Sequence, residues 1–141
     1  ESPRSTDVAA LSNVELLSIP AQLFIQSLFK APQLHHRLLQ SMVERLKHTQ
    51  KRFQLRNKAP GIKMVFTLIG LADAYGEQHG NAIEIFNIPD SDLAAIADVK
   101  LAEVPIILQK LADRNWLTID TEKDVIRLLD MKSLRHISKL G

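Results

Sequence analysis

The feature that most constrains this chain is a heptad stripe in its first half. His35, Leu39, Met42, Leu46, Thr49, Phe53 and Arg56 recur at alternating spacings of four and three, so on an α-helix they share one face. The stripe is apolar in its middle and polar at both ends. Pro32 suits a first helical turn, and Lys58-Ala59-Pro60-Gly61 stops the helix. The span between them is about 26 residues, or roughly 39 Å at 1.5 Å per residue. Two readings account for such a stripe: burial in the chain's own domain, or packing against the same helix of a second molecule. A domain of this size does not need so long a helix across its core, which favours a homodimer with Leu39, Met42, Leu46, Thr49 and Phe53 along its seam.

The rest of the composition excludes whole classes of chemistry. With no Cys among 141 residues, disulfides, thiolate zinc sites and Cys nucleophiles are ruled out, and a reducing cytoplasm is the natural compartment. No apolar run approaches the roughly 20 residues of a membrane helix. Glu1-Ser2-Pro3-Arg4 does not make a signal peptide, and a start on Glu1 is expected of a fragment. His35 and His36 are adjacent and diverge by about 100° on a helix, where metal ligands need spacings of three or four. His48, His79 and His136 have no carboxylate or Ser at a catalytic spacing, and no Gly-rich phosphate loop occurs. No catalytic residue, metal site, membrane partner or cofactor of the chain's own is expected, and the protein is not read as an enzyme.

Charge is informative when divided by segment. From residue 35 to 63, Arg37, Arg45, Lys47, Lys51, Arg52, Arg56, Lys58 and Lys63 face the single acid Glu44. From 88 to 115, Asp90, Asp92, Asp98, Glu103 and Asp113 outnumber Lys100, Lys110 and Arg114. The formal charge of +2 thus sums two regions of opposite sign. The basic stretch is either a surface for nucleic acid or the solvated flank of the long helix.

Alternation over residues 7–11 and 14–19 predicts two strands joined at Ser12-Asn13, which need a larger sheet to be stable. Pro20 opens a helix that stops before Pro32. Beyond the Pro60-Gly61 break, Ile62, Val65, Phe66, Leu68, Ile69 and Ala72 predict an apolar helix ending near Gly76. Residues 77–81 read as a loop, 82–86 as a strand, and Leu93, Ile96 and Ala97 as a short helix. Residues 99–115 predict a further helix, 116–119 and 125–129 a hairpin in which Trp116 reads as core, and Asp130 the cap of a last helix. The order helix, strand, helix, turn, helix, hairpin is that of the winged helix-turn-helix. The expected fold class is mostly α with small β hairpins, an α+β chain in which a long dimerisation helix precedes a winged domain.

At this point the sequence resembles the cyclic-AMP receptor protein/FNR (CRP/FNR) family of bacterial regulators. Arg4-Ser5 resembles the Arg-Ser of the family's phosphate-binding cassette, residues 14–19 the last strand of its nucleotide-binding roll, 25–37 the helix pair that follows, and 38–53 the dimerisation helix. Thr49 falls where a Thr contacts the adenine base. Leu-Gln-Lys-Leu-Ala-Asp-Arg-Asn-Trp-Leu at 108–117 is similar to the tail of the recognition helix and the first wing strand. The resemblance implies three parts: a roll remnant over 1–31, a dimerisation helix over 32–58 and a winged domain over 59–141. It also implies a cyclic nucleotide in an intact parent, with Arg4, Ser5 and Thr49 as a remnant of that site, and duplex DNA as a partner through Lys100, Lys110 and Arg114, with Lys123 and Arg127 on the wing.

The sequence departs from the family in two places. The roll's earlier strands and the Gly-Glu of the cassette do not occur among these 141 residues. Where DNA-binding members carry Arg, Glu and Arg, this chain has Leu101, Ala102 and Ile106, with Pro105 between them. None can make the bidentate contact by which Arg reads guanine. Asp98 stands where the turn usually has Gly, and Pro105 makes the helix start late or kink. Leu101 and Ile106 are therefore either core of a shifted helix or an exposed surface for another protein. Two functions follow, a dimeric DNA-binding regulator with weak or non-standard base readout and a protein-interaction module that has lost sequence-specific DNA binding.

Overall fold

A computed structural model describes residues 8, 10 and 13–140, without the side chains of 139 and 140. The chain divides into two units, Glu1–Thr49 and Gln50–Gly141. In the first, helix α1 spans Ala21–Lys30 and helix α2, Pro32–Leu55, begins. Pro20 fixes an extended entry at φ −58°, ψ 136°. Ala31 leaves the helical region, as a residue before proline must. Residues 14–19, expected as a strand, carry none and are exposed. A strand exists by its ladder, and among the described residues none lies in position to pair with them. Most of the proposed partner segment, residues 7, 9 and 11 of 7–11, lies outside the described residues.

α1 buries none of its residues. On α2 the heptad residues are open to solvent, from 59% exposure at Met42 to 72% at Phe53. The long helix therefore forms where the sequence places it, and its stripe is exposed rather than buried.

The second unit is built around helix α3, Pro60–Tyr75. Its sequence is a poor helix former by itself, with Gly61, Gly70 and the β-branched Val65, Thr67 and Ile69; an interior Gly costs about 1 kcal/mol against Ala. Burial decides the matter. Met64, Val65, Leu68, Ile69, Leu71 and Ala72 are all buried, and a fully buried aliphatic side chain contributes about 1.5–3 kcal/mol. Pro60 sits in the first turn, where its missing N–H costs no bond. α3 packs against helices α4 (Asp90–Ala97), α5 (Val104–Asp113) and α6 (Met131–Leu140) and against strand β2 (Ala82–Phe86). A side chain at Gly76 would collide with the Ala72 carbonyl and with Ile83, so glycine lets the chain turn directly into the sheet.

The sheet has four antiparallel strands in the order β1-β2-β4-β3, with β1 at Glu77–His79, β3 at Leu117–Asp120 and β4 at Val125–Leu128. β1 corrects the expected loop over 77–81: His79 pairs with Ala82 across Gly80-Asn81, and Gly80 has φ +60°. Ile85, Leu117, Ile126 and Leu128 face the core. With this added edge strand the architecture is the expected α+β class.

The polar face of the sheet holds an ion cluster. Register sets Arg127 opposite Glu84, and the guanidinium lies 2.6 Å from Glu84 Oε1 and 3.0 Å from Asp120 Oδ2. The Arg127 hydrogen bond holds Glu84 below its usual pKa, and the Lys123 backbone N–H leads the groups that lower Asp120. Asp130 accepts the Ser133 N–H at 2.9 Å and its hydroxyl at 2.6 Å, capping α6 and lowering the Asp130 pKa. Arg127, expected on the wing as a phosphate contact, is thus committed to two carboxylates within the sheet.

Folded carboxyls with lowered pKa values stay ionised where the unfolded chain takes up protons. Their stabilisation is full above the ordinary carboxylate range and fades as pH falls through about 4 and below. Denaturant midpoints measured at stepped pH are expected to fall from about pH 4.5 downward, and Arg127→Gln is expected to make that fall shallower. A midpoint independent of pH across the window would show that these pairs contribute nothing to the fold.

Candidate nucleic-acid interface

α4, a turn and α5 form a helix-turn-helix, and local chemistry fixes each joint. Pro89 precedes α4, and Asp90 and Asp92 lie in its first turn, where acidic charge meets the positive end of the helix dipole. Asp98 ends α4 in the left-handed region at φ 54°, ψ 51°. Asp tolerates this conformation better than most residues, although glycine is the usual solution. The N–H groups of Asp98 and Val99 both donate to the Ala94 carbonyl.

Three cations gather around this turn. Lys63 Nζ of α3 lies 2.8 Å from Asp98 Oδ2 and 3.0 Å from its carbonyl oxygen. Lys63, Arg56 and Arg52 together keep the Asp98 carboxyl ionised below its usual pKa, with the Lys63 hydrogen bond foremost. Arg52 also donates to the Ile96 carbonyl, placing a positive charge at the C-terminal end of α4. Arg52 and Lys63 belong to the basic stretch read in sequence as a nucleic-acid surface or a solvated flank. They brace the turn instead, through partners 44 and 35 residues away.

The second helix begins later than residue 99. Leu101–Glu103 is a 3-10 turn, closed by the Lys100 N–H donating to Glu103 Oε2 at 3.0 Å, and α5 starts at Val104. Pro105 therefore falls in the first turn, where it breaks no hydrogen bond. Val104, Leu108 and Leu111 are buried against α3 and its neighbours. The opposite face is open, with Leu101, Ala102, Pro105, Ile106, Gln109 and Lys110 exposed. At 56% and 55% exposure, Leu101 and Ile106 are surface residues, which settles the choice against core of a shifted helix.

The expected cations fall into two groups. Lys100 stands exposed at the start of the 3-10 turn, and Lys110 and Arg114 lie along α5 and its end. Arg114 and Lys110 share one cleft with Trp116, and the Arg114 guanidinium sits 5.0 Å from the indole centroid, a cation–π distance. Trp116 is only half-buried and packs at the edge of the core rather than inside it. Lys123 lies in the β3–β4 turn with its N–H donated to Asp120 Oδ1 at 3.1 Å and its side chain exposed. Arg127 stays with Glu84 and Asp120.

Of the nucleotide-site remnant, Arg4 and Ser5 lie outside the described residues. Thr49 is exposed on α2 and its hydroxyl donates to the Arg45 carbonyl at 2.9 Å. Among the described residues no group of three or more His, Asp or Glu is placed to hold a metal ion, and no helix is long and apolar enough to cross a membrane.

The sequence matches no family model and no curated protein. The structure does resemble solved ones. TTHA1359, a transcriptional regulator of the CRP/FNR family from Thermus thermophilus, superposes at a TM-score of 0.64 with 20% identity, over 77% of this chain and 56% of its own. A CooA variant from Carboxydothermus hydrogenoformans gives 0.67 with 15% identity, over 83% and 54%. CprK complexed with OCPA gives 0.60 with 18% identity, over 84% and 54%. The chain spans little more than half the length of each of these structures. Its fold, a long helix leading into an α+β unit that carries a helix-turn-helix, is that of the C-terminal portion of CRP/FNR regulators.

Proposed function

We propose that the chain is the C-terminal part of a dimeric, cytoplasmic, non-enzymatic transcription regulator that binds duplex DNA. The observation that carries this reading is the open outward face of α5, with Lys100, Lys110 and Arg114 exposed along it and at its ends. Residues 1–31 are taken as the end of a nucleotide-binding roll, 32–58 as the dimerisation helix and 59–141 as the winged DNA-binding domain. Leu39, Met42, Leu46, Thr49 and Phe53 form the seam between two copies, since a solvent-exposed heptad stripe gains stability by pairing. Lys100, Lys110, Arg114 and Lys123 contact phosphates, and Arg127 holds the wing's strands in place. Any cyclic-nucleotide control belongs to an intact parent, to which Arg4, Ser5 and Thr49 would contribute. A second reading, a protein-interaction module, draws on the exposure of Leu101 and Ile106.

Duplex binding measured across salt concentrations tests the first reading. Affinity is expected to fall steeply with salt, and Lys110→Gln with Arg114→Gln to reduce the log–log slope by about 0.9 for each cation removed. Undetectable binding at low salt would overturn the DNA-binding function and leave the interaction module. Sedimentation tests the seam: the parent is expected to be a dimer, and Leu46→Glu to be a monomer because it buries a charge in the pair. A parent already monomeric would overturn the dimer.

A further inference from the structure

Reading a base requires a side chain that matches its edge, and the exposed end of this helix-turn-helix offers an unusual set. Leu101, Ala102, Pro105 and Ile106 lie exposed at the start of the 3-10 turn and α5, the end that a recognition helix presents to base edges. None has a hydrogen-bonding side chain. Gln109, one turn further on, holds its amide nitrogen 2.8 Å from Asp113 Oδ1. Of the nearest acids, Glu103 accepts the Lys100 N–H at 3.0 Å and Asp98 pairs with Lys63 at 2.8 Å. Lys100 and Lys110 stand exposed beside the apolar residues, giving the face cationic edges that complement phosphate.

The size of the patch argues against a protein partner. Two large aliphatic side chains with a Pro and an Ala fall far short of the about 800 Å² per partner of a standard interface. A recognition helix, by contrast, reads its site with three or four side chains. In the major groove the apolar group that a base pair displays is the thymine C5-methyl.

Resting on the DNA-binding reading above, we propose that this helix reads thymine methyl groups. Leu101, Ala102 and Ile106 pack against C5-methyls in A·T-rich half-sites, while Lys100 and Lys110 hold the adjoining phosphates. Specificity then comes from apolar contact, and the arginine–guanine contact has no counterpart.

Replacing thymidine by deoxyuridine deletes the methyl and keeps every base pair and phosphate. Duplexes are first selected by the full chain from a random-sequence pool, and the bound sequences are expected to be rich in A·T pairs in each half-site. Remade with deoxyuridine, they are expected to bind more weakly by about fourfold for each contacted methyl, the change that one buried methyl-sized group produces. The Leu101→Ala, Ile106→Ala double variant, altered only at exposed positions, is expected to keep the parent's thermal midpoint and lose most of that discrimination. Equal affinity for the thymine and uracil duplexes, or discrimination undiminished in the double variant, would overturn methyl reading while DNA binding stands. Failure to bind any duplex at low salt would overturn both, leaving a protein as the occupant of this face.

Discussion

The second unit depends on the burial of α3. Its apolar residues are not confined to one stripe: Met64, Leu68 and Leu71 are buried together with Val65, Ile69 and Ala72. A helix buried around so much of its circumference must be covered from several directions, and the sheet, α4, α5 and α6 supply that cover. The arrangement has a functional consequence. Because Val104, Leu108 and Leu111 are drawn inward, the rotation of α5 about its own axis is fixed and its outward face is defined. What that face can recognise follows from the core.

Polar interactions act at the joints of the same frame. The α4–α5 turn carries Asp98 in a left-handed conformation that glycine would adopt at less cost. The side chain gains something in exchange: it accepts a hydrogen bond from Lys63, while Arg52 reaches the neighbouring Ile96 carbonyl. In this way the basic segment and the acidic segment, which looked like separate surfaces, are partly joined. The cations left exposed on α5 and in the β3–β4 turn are fewer than the sequence suggests.

Much of this was legible in the sequence, because helices with strong periodicity and proline boundaries are local features. α1, the long α2 and the apolar α3 lie close to their expected places. Pro105 marked the late start of α5, since proline acts within a few residues, whereas Asp98 was placed in the turn only through the family resemblance. The misses have a common cause in long-range pairing. Residues 14–19 alternate like a strand but have no described partner to complete a ladder. Glu77–His79 does not alternate at all, yet it pairs with β2 across Gly80-Asn81, a dipeptide that signals a tight hairpin. Arg127 looked like a wing cation, and only the register that sets it against Glu84 shows that its charge is used within the sheet. The bracing roles of Arg52 and Lys63 were hidden for the same reason.

The long helix and the α+β unit thus present two exposed apolar surfaces, the heptad stripe of α2 and the outward face of α5, for which we propose a second copy and a DNA groove as the occupants. The most direct test of the second is amide chemical-shift mapping of the full chain during titration with duplex DNA. Shifts are expected at residues 100–110 and in the β3–β4 turn at 121–124, with the buried face of α3 unchanged. Shifts confined to other surfaces, such as α6, or no shifts at all, would contradict the assignment of α5 as the helix that enters DNA.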